Sequence, residues 1–88
     1  MRKAKYIVGE LPSGMGTTLG AVIFPNYIDH ARVAILFAPN GIESAGFFTV
    51  HDGVVYPEGE STGLKLSSRP TDDRIIARAI GLPLPSSA

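Results

Sequence analysis

A single helix is encoded by the stretch Ser67-Ser68-Arg69-Pro70-Thr71-Asp72-Asp73-Arg74-Ile75-Ile76-Ala77-Arg78-Ala79-Ile80-Gly81-Leu82-Pro83. Pro70 suits the entry to a helix because its φ is preset and its missing N–H would find no partner in the first turn. Thr71 can cap an orphan amide, and the two aspartates after it place negative charge at the positive end of the helix dipole. Gly81 favours the left-handed residue that ends a helix, and Pro83 blocks continuation. We therefore predict one helix that begins near Pro70 and ends at Gly81.

The predicted helix has one apolar face. Ile76 and Ile80, with Ile75 and Ala79 beside them, form two rows at a spacing of four residues, which is the pattern of a helix buried on one side. A helix of two or three turns is marginal alone, so its stability must come from docking on another element.

The chain before this helix reads as strands punctuated by glycine and proline. The segments predicted as strands are 3–10, 19–24, 45–51, 54–56 and 63–66. The first two are expected to form a hairpin with a long loop. We predict a single α+β domain over residues 1–83, with a small, mostly antiparallel sheet or partly open barrel of five to six strands and one C-terminal helix. Residues 84–88 are expected to be a flexible tail.

Segment 27–38 has two interpretations. Ile28, Ala31 and Ile35 suit one face of a helix, whereas Val33, Ile35 and Phe37 alternate as in a strand. We favour a helical turn around residues 29–32.

The dipeptide Asp52-Gly53 predicts a tight hairpin, because it accepts the positive φ angles of a two-residue type I′ turn. In this register Phe48, Val50 and Val55 share one face, and the opposite face carries Phe47, Thr49, His51 and Tyr56. Because both faces carry aromatic residues, the hairpin either packs on both sides or presents one face to a partner. Phe47, Thr49 and Tyr56 are therefore the candidate interface.

Composition excludes several classes of protein. The chain has no cysteine, which removes disulfides, thiolate nucleophiles and cysteine-based zinc sites. Its eight basic and eight acidic side chains balance, so the protein has no net positive charge that would attract nucleic acid or an anionic membrane. The longest apolar run, 33–38, is too short to cross a bilayer, and Met1-Arg2-Lys3-Ala4-Lys5 is not followed by a signal-peptide core. We expect a cytoplasmic protein without a cofactor, a metal or a membrane partner.

The glycine-rich run Gly14-Met15-Gly16-Thr17-Thr18-Leu19-Gly20 looks like a phosphate-binding loop. A dinucleotide fingerprint would need a third glycine at position 19 and a following helix, and a P-loop would need a lysine before its hydroxyl residue. We therefore interpret the run as a flexible hairpin loop.

Two histidines and one serine are the candidates for chemistry. Ser44 lacks the first glycine of the G-x-S-x-G motif, so a serine nucleophile requires His30 or His51 to meet it in space, with Asp29 or Asp52 orienting the ring. The simpler interpretation is that Ser44 begins a strand. The spacing of the two histidines does not indicate a metal site.

Positive charge is concentrated toward the C-terminus at Lys65, Arg69, Arg74 and Arg78. Arg74 and Arg78 are four residues apart on one helical face, where like charges repel weakly. An anion or an acidic partner would relieve this repulsion, although a solvated helix surface is the simpler account.

A set of short motifs resembles small uncharacterised proteins of bacteria and their prophages. The motifs are Ile23-Phe24-Pro25, His30, Ser44-Ala45-Gly46-Phe47, Gly59-Glu60-Ser61 and Ser68-Arg69-Pro70 with Asp72 and Asp73. The resemblance spans residues 19–81, and it implies a bacterial or phage-derived accessory protein with no activity attached. It marks His30, Ser44, Gly59, Ser61, Ser68 and Arg69 as the positions to test.

Two functions from different classes follow. The leading hypothesis is a non-enzymatic module for protein interaction or self-association, homodimerisation included, that uses the sheet face or edge around Phe47, Thr49 and Tyr56. The alternative is a small hydrolase or ligand-binding protein. Its site would gather the candidate polar residues His30, Ser44, Ser61, Ser68 and Arg69.

Overall fold

A computed structural model describes residues 3–82 of the chain. It contains six strands and two α-helices: β1 Ala4–Ser13, β2 Gly16–Phe24, α1 His30–Val33, β3 Ile42–His51, β4 Val54–Glu58, β5 Glu60–Ser61, β6 Leu66–Ser67 and α2 Asp72–Ile80. Four strands form an antiparallel sheet in the order β2-β1-β3-β4, and β5 pairs with β6. The predicted α+β class is confirmed. Over the described residues the sheet stays open rather than closing into a barrel, and α1 is a second helix beside the predicted C-terminal one. The tail predicted for 84–88 lies outside the described residues.

The β1–β2 hairpin is tighter than predicted. Ser13 pairs with Gly16, so Gly14 and Met15 alone form the turn, and the long loop expected here is wrong. In the sequence, Pro12 and Gly14 favour an end of the first strand at residue 10. A proline is tolerated in a strand where no ladder N–H is needed. Gly16, the first paired residue after the turn, has a positive φ of 132°, which glycine adopts readily. Both strands therefore continue through the glycine-rich run.

The central hairpin forms in the predicted register. His51 pairs with Val54 and Thr49 with Tyr56, and the turn residues Asp52 and Gly53 have φ of 51° and 76°. These are the positive angles that a type I′ turn requires.

The sheet is covered on both faces, which accounts for aromatic residues on both sides of the central hairpin. Helix α2 packs on one face, over a core formed by Tyr6, Val8, Phe48, Val55, Ile76 and Ala77. The other face is covered by segment 27–38 and by residues near β6, over a core of Ile7, Phe24, Phe37 and Ala45. Alternate residues of β1 and β3 thus enter opposite cores.

Helix α2 begins at Asp72 and ends at Gly81, whose φ of 78° confirms the predicted left-handed end. Thr71 makes no side-chain capping bond; the Asp72 carboxylate instead accepts a hydrogen bond from the Arg69 backbone N–H at 2.9 Å. The buried row is also shifted from the prediction, because Ala77 is buried beside Ile76 while Ile80 is 37% exposed.

The structure distinguishes the two interpretations of segment 27–38. Within it, α1 is followed directly by a 3₁₀ turn at Ala34–Leu36, so the helical turn predicted around residues 29–32 is confirmed, one residue later than expected. The strand predicted at 63–66 is wrong: residues 62–65 form a turn, and Lys65 has a φ of 57°. Only Leu66–Ser67 pairs, as β6 with β5. No helix among residues 3–82 is long and apolar enough to span a membrane.

Candidate functional site

His30 opens helix α1 and is buried against the sheet. Its ring packs edge-on against Phe24 and Phe47, with ring centroids 5.3 Å and 5.7 Å away. Its Nε2 lies 2.9 Å from the Gly46 carbonyl oxygen on β3. Because a carbonyl oxygen only accepts, Nε2 carries the proton and donates. This bond and the two aromatic contacts fix the position of α1 on the sheet.

Burial lowers the pKa of His30 below its ordinary value, since the charged ring would lose its hydration. The hydrogen bond to Gly46 opposes this effect, and the nearby Lys5 ammonium adds to it. The imidazole is therefore neutral at pH 7, with the Nδ1 lone pair as its remaining acceptor.

A cleft of about 280 Å³ opens beside this ring, and we call it the His30 cleft. Its charged members are Lys5, Asp29 and Glu60, and it is completed by His30, Ala31, Phe47, Ser61, Thr62 and Gly63. The Lys5 ammonium donates to the Ile28 carbonyl at 2.9 Å and lies 5.7 Å from the centre of the Phe47 ring. The buried Ser61 hydroxyl accepts from the Leu64 N–H at 3.3 Å. The cleft thus offers positively and negatively charged side chains beside a neutral imidazole.

The lowered pKa of His30 makes stability depend on pH. Because the unfolded chain protonates His30 more readily than the folded protein does, this contribution is fully present above about pH 6.5 and is lost as the pH falls through the lowered folded pKa. We expect the free energy of unfolding, measured by urea titration, to fall as the pH is lowered below about 6.5. His30→Gln should flatten this slope, and His51→Gln, which alters an exposed ring, should leave it intact. Equal slopes in both variants would contradict the assignment.

A second polar group lies beneath the start of α2, and we call it the Asp72 cluster: Tyr6, Glu43, Arg69 and Asp72. Asp72 is fully buried and accepts from the Tyr6 hydroxyl and from the Arg69 Nε at 3.0 Å and Nη2 at 2.9 Å. Arg69 Nη1 reaches Glu43 at 3.2 Å. Burial and the bond to the Asp72 carboxylate raise the pKa of Tyr6 far above its ordinary value, so its proton stays on the phenol. The cluster ties α2 to β1 and β3.

The predicted polar candidates fall into separate places. His30 and Ser61 meet in the His30 cleft. Arg69 belongs to the Asp72 cluster, and Ser68 follows β6, where its backbone N–H bonds to the Gly59 carbonyl. Ser44 pairs with Val8 and thus shares the α2 face of the sheet; its hydroxyl is buried without a hydrogen-bond partner among the described residues. Ser44 and His30 therefore do not form the nucleophile–base pair that the hydrolase hypothesis requires.

The candidate interface residues share the face of the sheet that α1 covers. Phe47 is half-buried under His30 and Lys5, and Thr49 is also half-buried. Tyr56 remains 49% exposed. Of the three candidate residues, Tyr56 alone is largely open, so they do not form a continuous exposed patch.

The feature that sequence reasoning missed is the free edge of β2. Among residues 3–82, strand order leaves β2 and β4 at the two edges of the sheet. Strand β2 is nine residues long, and its sequence Gly16-Thr17-Thr18-Leu19-Gly20-Ala21-Val22-Ile23-Phe24 contains neither charge nor proline. This missing charge was visible in the sequence, but the glycines led us to predict a loop.

A scan of protein-family models, a search of curated proteins and a search of solved structures each returned no match for this chain. The resemblance to small bacterial and prophage proteins therefore stays a prediction.

Proposed function

We propose that this protein is a non-enzymatic interaction module that binds an extended segment by adding it to the β2 edge. In strand addition the main-chain hydrogen bonds supply affinity and side-chain pockets supply specificity. The expected partner is a protein strand.

The observation that carries this proposal is the contrast between the two edges of the sheet. Natural edge strands are usually short or carry proline and charge, which prevents unwanted pairing. Strand β4 follows this rule: it has five residues, contains Pro57 and ends at Glu58, whose carboxylate lies 3.2 Å from the Lys3 ammonium. Strand β2 has none of these features over its nine residues. An unprotected edge of this length is expected where a partner strand binds.

The outward backbone groups of β2 can be assigned. The Glu10 N–H donates to Gly41 and its carbonyl accepts from Ala38, so both groups point away from β2. Leu19 is the partner of Glu10, and opposite residues of an antiparallel ladder either both exchange bonds or both point away. Leu19 therefore presents its N–H and C=O to the free edge, and the period of two extends this to Thr17, Ala21 and Ile23.

A shallow groove beside the edge would receive a side chain of the added strand. It measures about 290 Å³ and is lined by Leu19, Gly20, Ala21, Ile75, Arg78 and Ala79. Leu19 is 51% exposed at its margin. The groove is mainly apolar, with the Arg78 guanidinium as its charged member, which favours an apolar or mildly acidic side chain in the bound segment.

Selection from a displayed library of random peptides tests the proposal. We expect enrichment of peptides with alternating β-branched or aromatic residues, bound at least about tenfold more weakly by Leu19→Lys, because a charge at the edge opposes strand addition. Thr18→Lys is the matched control, since the Thr18 backbone bonds to β1 and its side chain lies on the opposite face. Peptides bound equally by both variants would place binding elsewhere. A library that yields no peptide from a chain shown to be monomeric would contradict the proposal.

A ligand site in the His30 cleft is the second candidate, favoured by two buried polar side chains, His30 and Ser61, at one opening. Generic ester and phosphate substrates and a small-molecule fragment mixture would test it. Activity or binding that disappears in His30→Gln and persists in Leu19→Lys would favour this function. Loss in neither variant would count against it.

A further inference from the structure

We infer that the occupant of the β2 edge is the same strand of a second copy of this chain, paired antiparallel about a two-fold axis at Gly20. This inference rests on the proposed function and names its partner. The two sheets would then join into one continuous sheet, in which each β2 ceases to be an edge.

The first support is the symmetry of the open backbone row. Thr17, Leu19, Ala21 and Ile23 present their N–H and C=O groups outward, and these positions are arranged evenly about Gly20, the centre of Gly16–Phe24. An antiparallel copy centred on Gly20 places Leu19 opposite Ala21 of the second copy, and Thr17 opposite its Ile23. Each residue whose N–H and C=O point to the free edge then lies opposite another such residue, which is the condition for the two residues to exchange both hydrogen bonds. The chain is thus complementary to itself without any change in its backbone.

The second support is the pairing of side chains across the axis. Ala21 and Ile23 pack on the α2 face of the sheet, and the period of two places Leu19 on the same face. Leu19 is half exposed, and the residue opposite it, Ala21 of the second copy, is small and lines the groove. The leucine of each copy therefore enters the groove of the other, against Ala79. This contact buries apolar area twice, once on each side of the axis.

The third support is charge. Neither copy of β2 carries an ionisable side chain, so self-pairing brings no like charges into opposition along the strand. Arg78 borders the groove and is exposed. An acidic strand from another protein is the competing occupant, and the experiment below distinguishes it from a second copy.

Cysteine cross-linking tests the axis directly, because the chain contains no cysteine of its own. In the Gly20-centred register, Gly20 of one copy lies opposite Gly20 of the other, and the two form a non-hydrogen-bonded pair. The Cα atoms of such a pair are about 4.5 Å apart, a distance that a disulfide can bridge. Gly20→Cys should cross-link on the order of tenfold faster than Thr18→Cys or Val22→Cys alone, whose thiols would lie too far from their own copies. Mixed Thr18→Cys and Val22→Cys chains should cross-link with each other, because these positions face across the axis.

Two readouts keep the test falsifiable. A cysteine at Gly20 must displace the end of the Leu11 side chain, 3.3 Å from an added Cβ, so reduced variants are checked by thermal unfolding. In the unmodified protein, the amides of Leu19 and Ala21 should gain protection from hydrogen exchange as protein concentration rises. Equally slow cross-linking of all variants, with exchange independent of concentration, would overturn the second copy as occupant. Peptide binding lost in Leu19→Lys would then still support strand addition with another protein, whereas loss of both results would overturn the proposed function too.

Discussion

Replacing Asp72 with asparagine is expected to lower the free energy of unfolding by about 3 kcal/mol, because the Asp72 carboxylate is the shared acceptor of a buried cluster. It accepts from the Tyr6 hydroxyl and from three N–H groups of Arg69, including the backbone N–H before α2. Asparagine has one acceptor oxygen and brings two N–H donors, so some of these donors would lose their partner. Because the Arg69 side chain is 39% exposed, water recovers part of its loss, and we expect the lower end of the range for broken buried pairs.

The measurement is the urea midpoint at pH 7, and Asp73→Asn is the control. Asp73 is the next residue of the same helix, but within residues 3–82 its carboxylate accepts only from the exposed Arg74 N–H at 2.7 Å. We expect this control to cost less than about 1 kcal/mol, mainly through the helix dipole. Equal losses in the two variants would mean that the helix dipole, rather than the buried cluster, is what Asp72 provides.

Gly9→Ala is expected to lower the free energy of unfolding more than any other glycine-to-alanine substitution among the described residues. A Cβ at Gly9 would lie 2.6 Å from the Gly41 carbonyl oxygen and 2.8 Å from the Ile42 Cα, both of which are backbone atoms. The register of β1 and β3 shifts between Val8 and Gly9, where β3 gives Glu43 no partner on β1. The added methyl would force the two strands apart there and disturb the bond from the Glu10 N–H to Gly41. Overpacking of this kind costs about 1–3 kcal/mol or more.

Thermal unfolding monitored by circular dichroism checks this prediction. A loss of about 3 kcal/mol corresponds to a Tm lowered by more than about 10 °C in a domain of this size. Gly63→Ala is the control, since an added Cβ there meets no atom within 4 Å, and its Tm should change by only a few degrees. A Tm for Gly9→Ala within about 2 °C of the unchanged protein would contradict the close strand approach described for Gly9.

Local chemistry in the sequence predicted the parts of the fold that depend on a few adjacent residues. Asp52-Gly53 set the register of the central hairpin because turn geometry fixes strand pairing, and Gly81 set the end of α2 because it adopts positive φ without strain. The length of β2 was not predicted, since glycines favour loops in isolation. They are tolerated here because β1 supplies a partner along the whole segment.

The candidate site was predicted only where sequence neighbours suffice. The sequence predicts Asp72 as a charge at a helix end, whereas its burial depends on Tyr6, which is distant along the chain. His30 and Ser61 share a cleft because α1 and the β5–β6 turn cover the same face of the sheet. The free edge of β2 follows from strand order, which no local pattern specifies.

Light scattering coupled to size exclusion, on the unmodified protein, Leu19→Lys and Thr18→Lys over a range of concentrations, tests the role of the β2 edge most directly. We expect a dimer for the unmodified chain and for Thr18→Lys, and a monomer for Leu19→Lys at the same concentrations. The Leu19 side chain enters the groove of the second copy, whereas Thr18 is exposed on the other face, where a lysine opposite Val22 of the second copy can extend into solvent. A dimer that persists unchanged in Leu19→Lys, or an unmodified protein that is monomeric and binds no strand, would contradict an interaction module built on this edge.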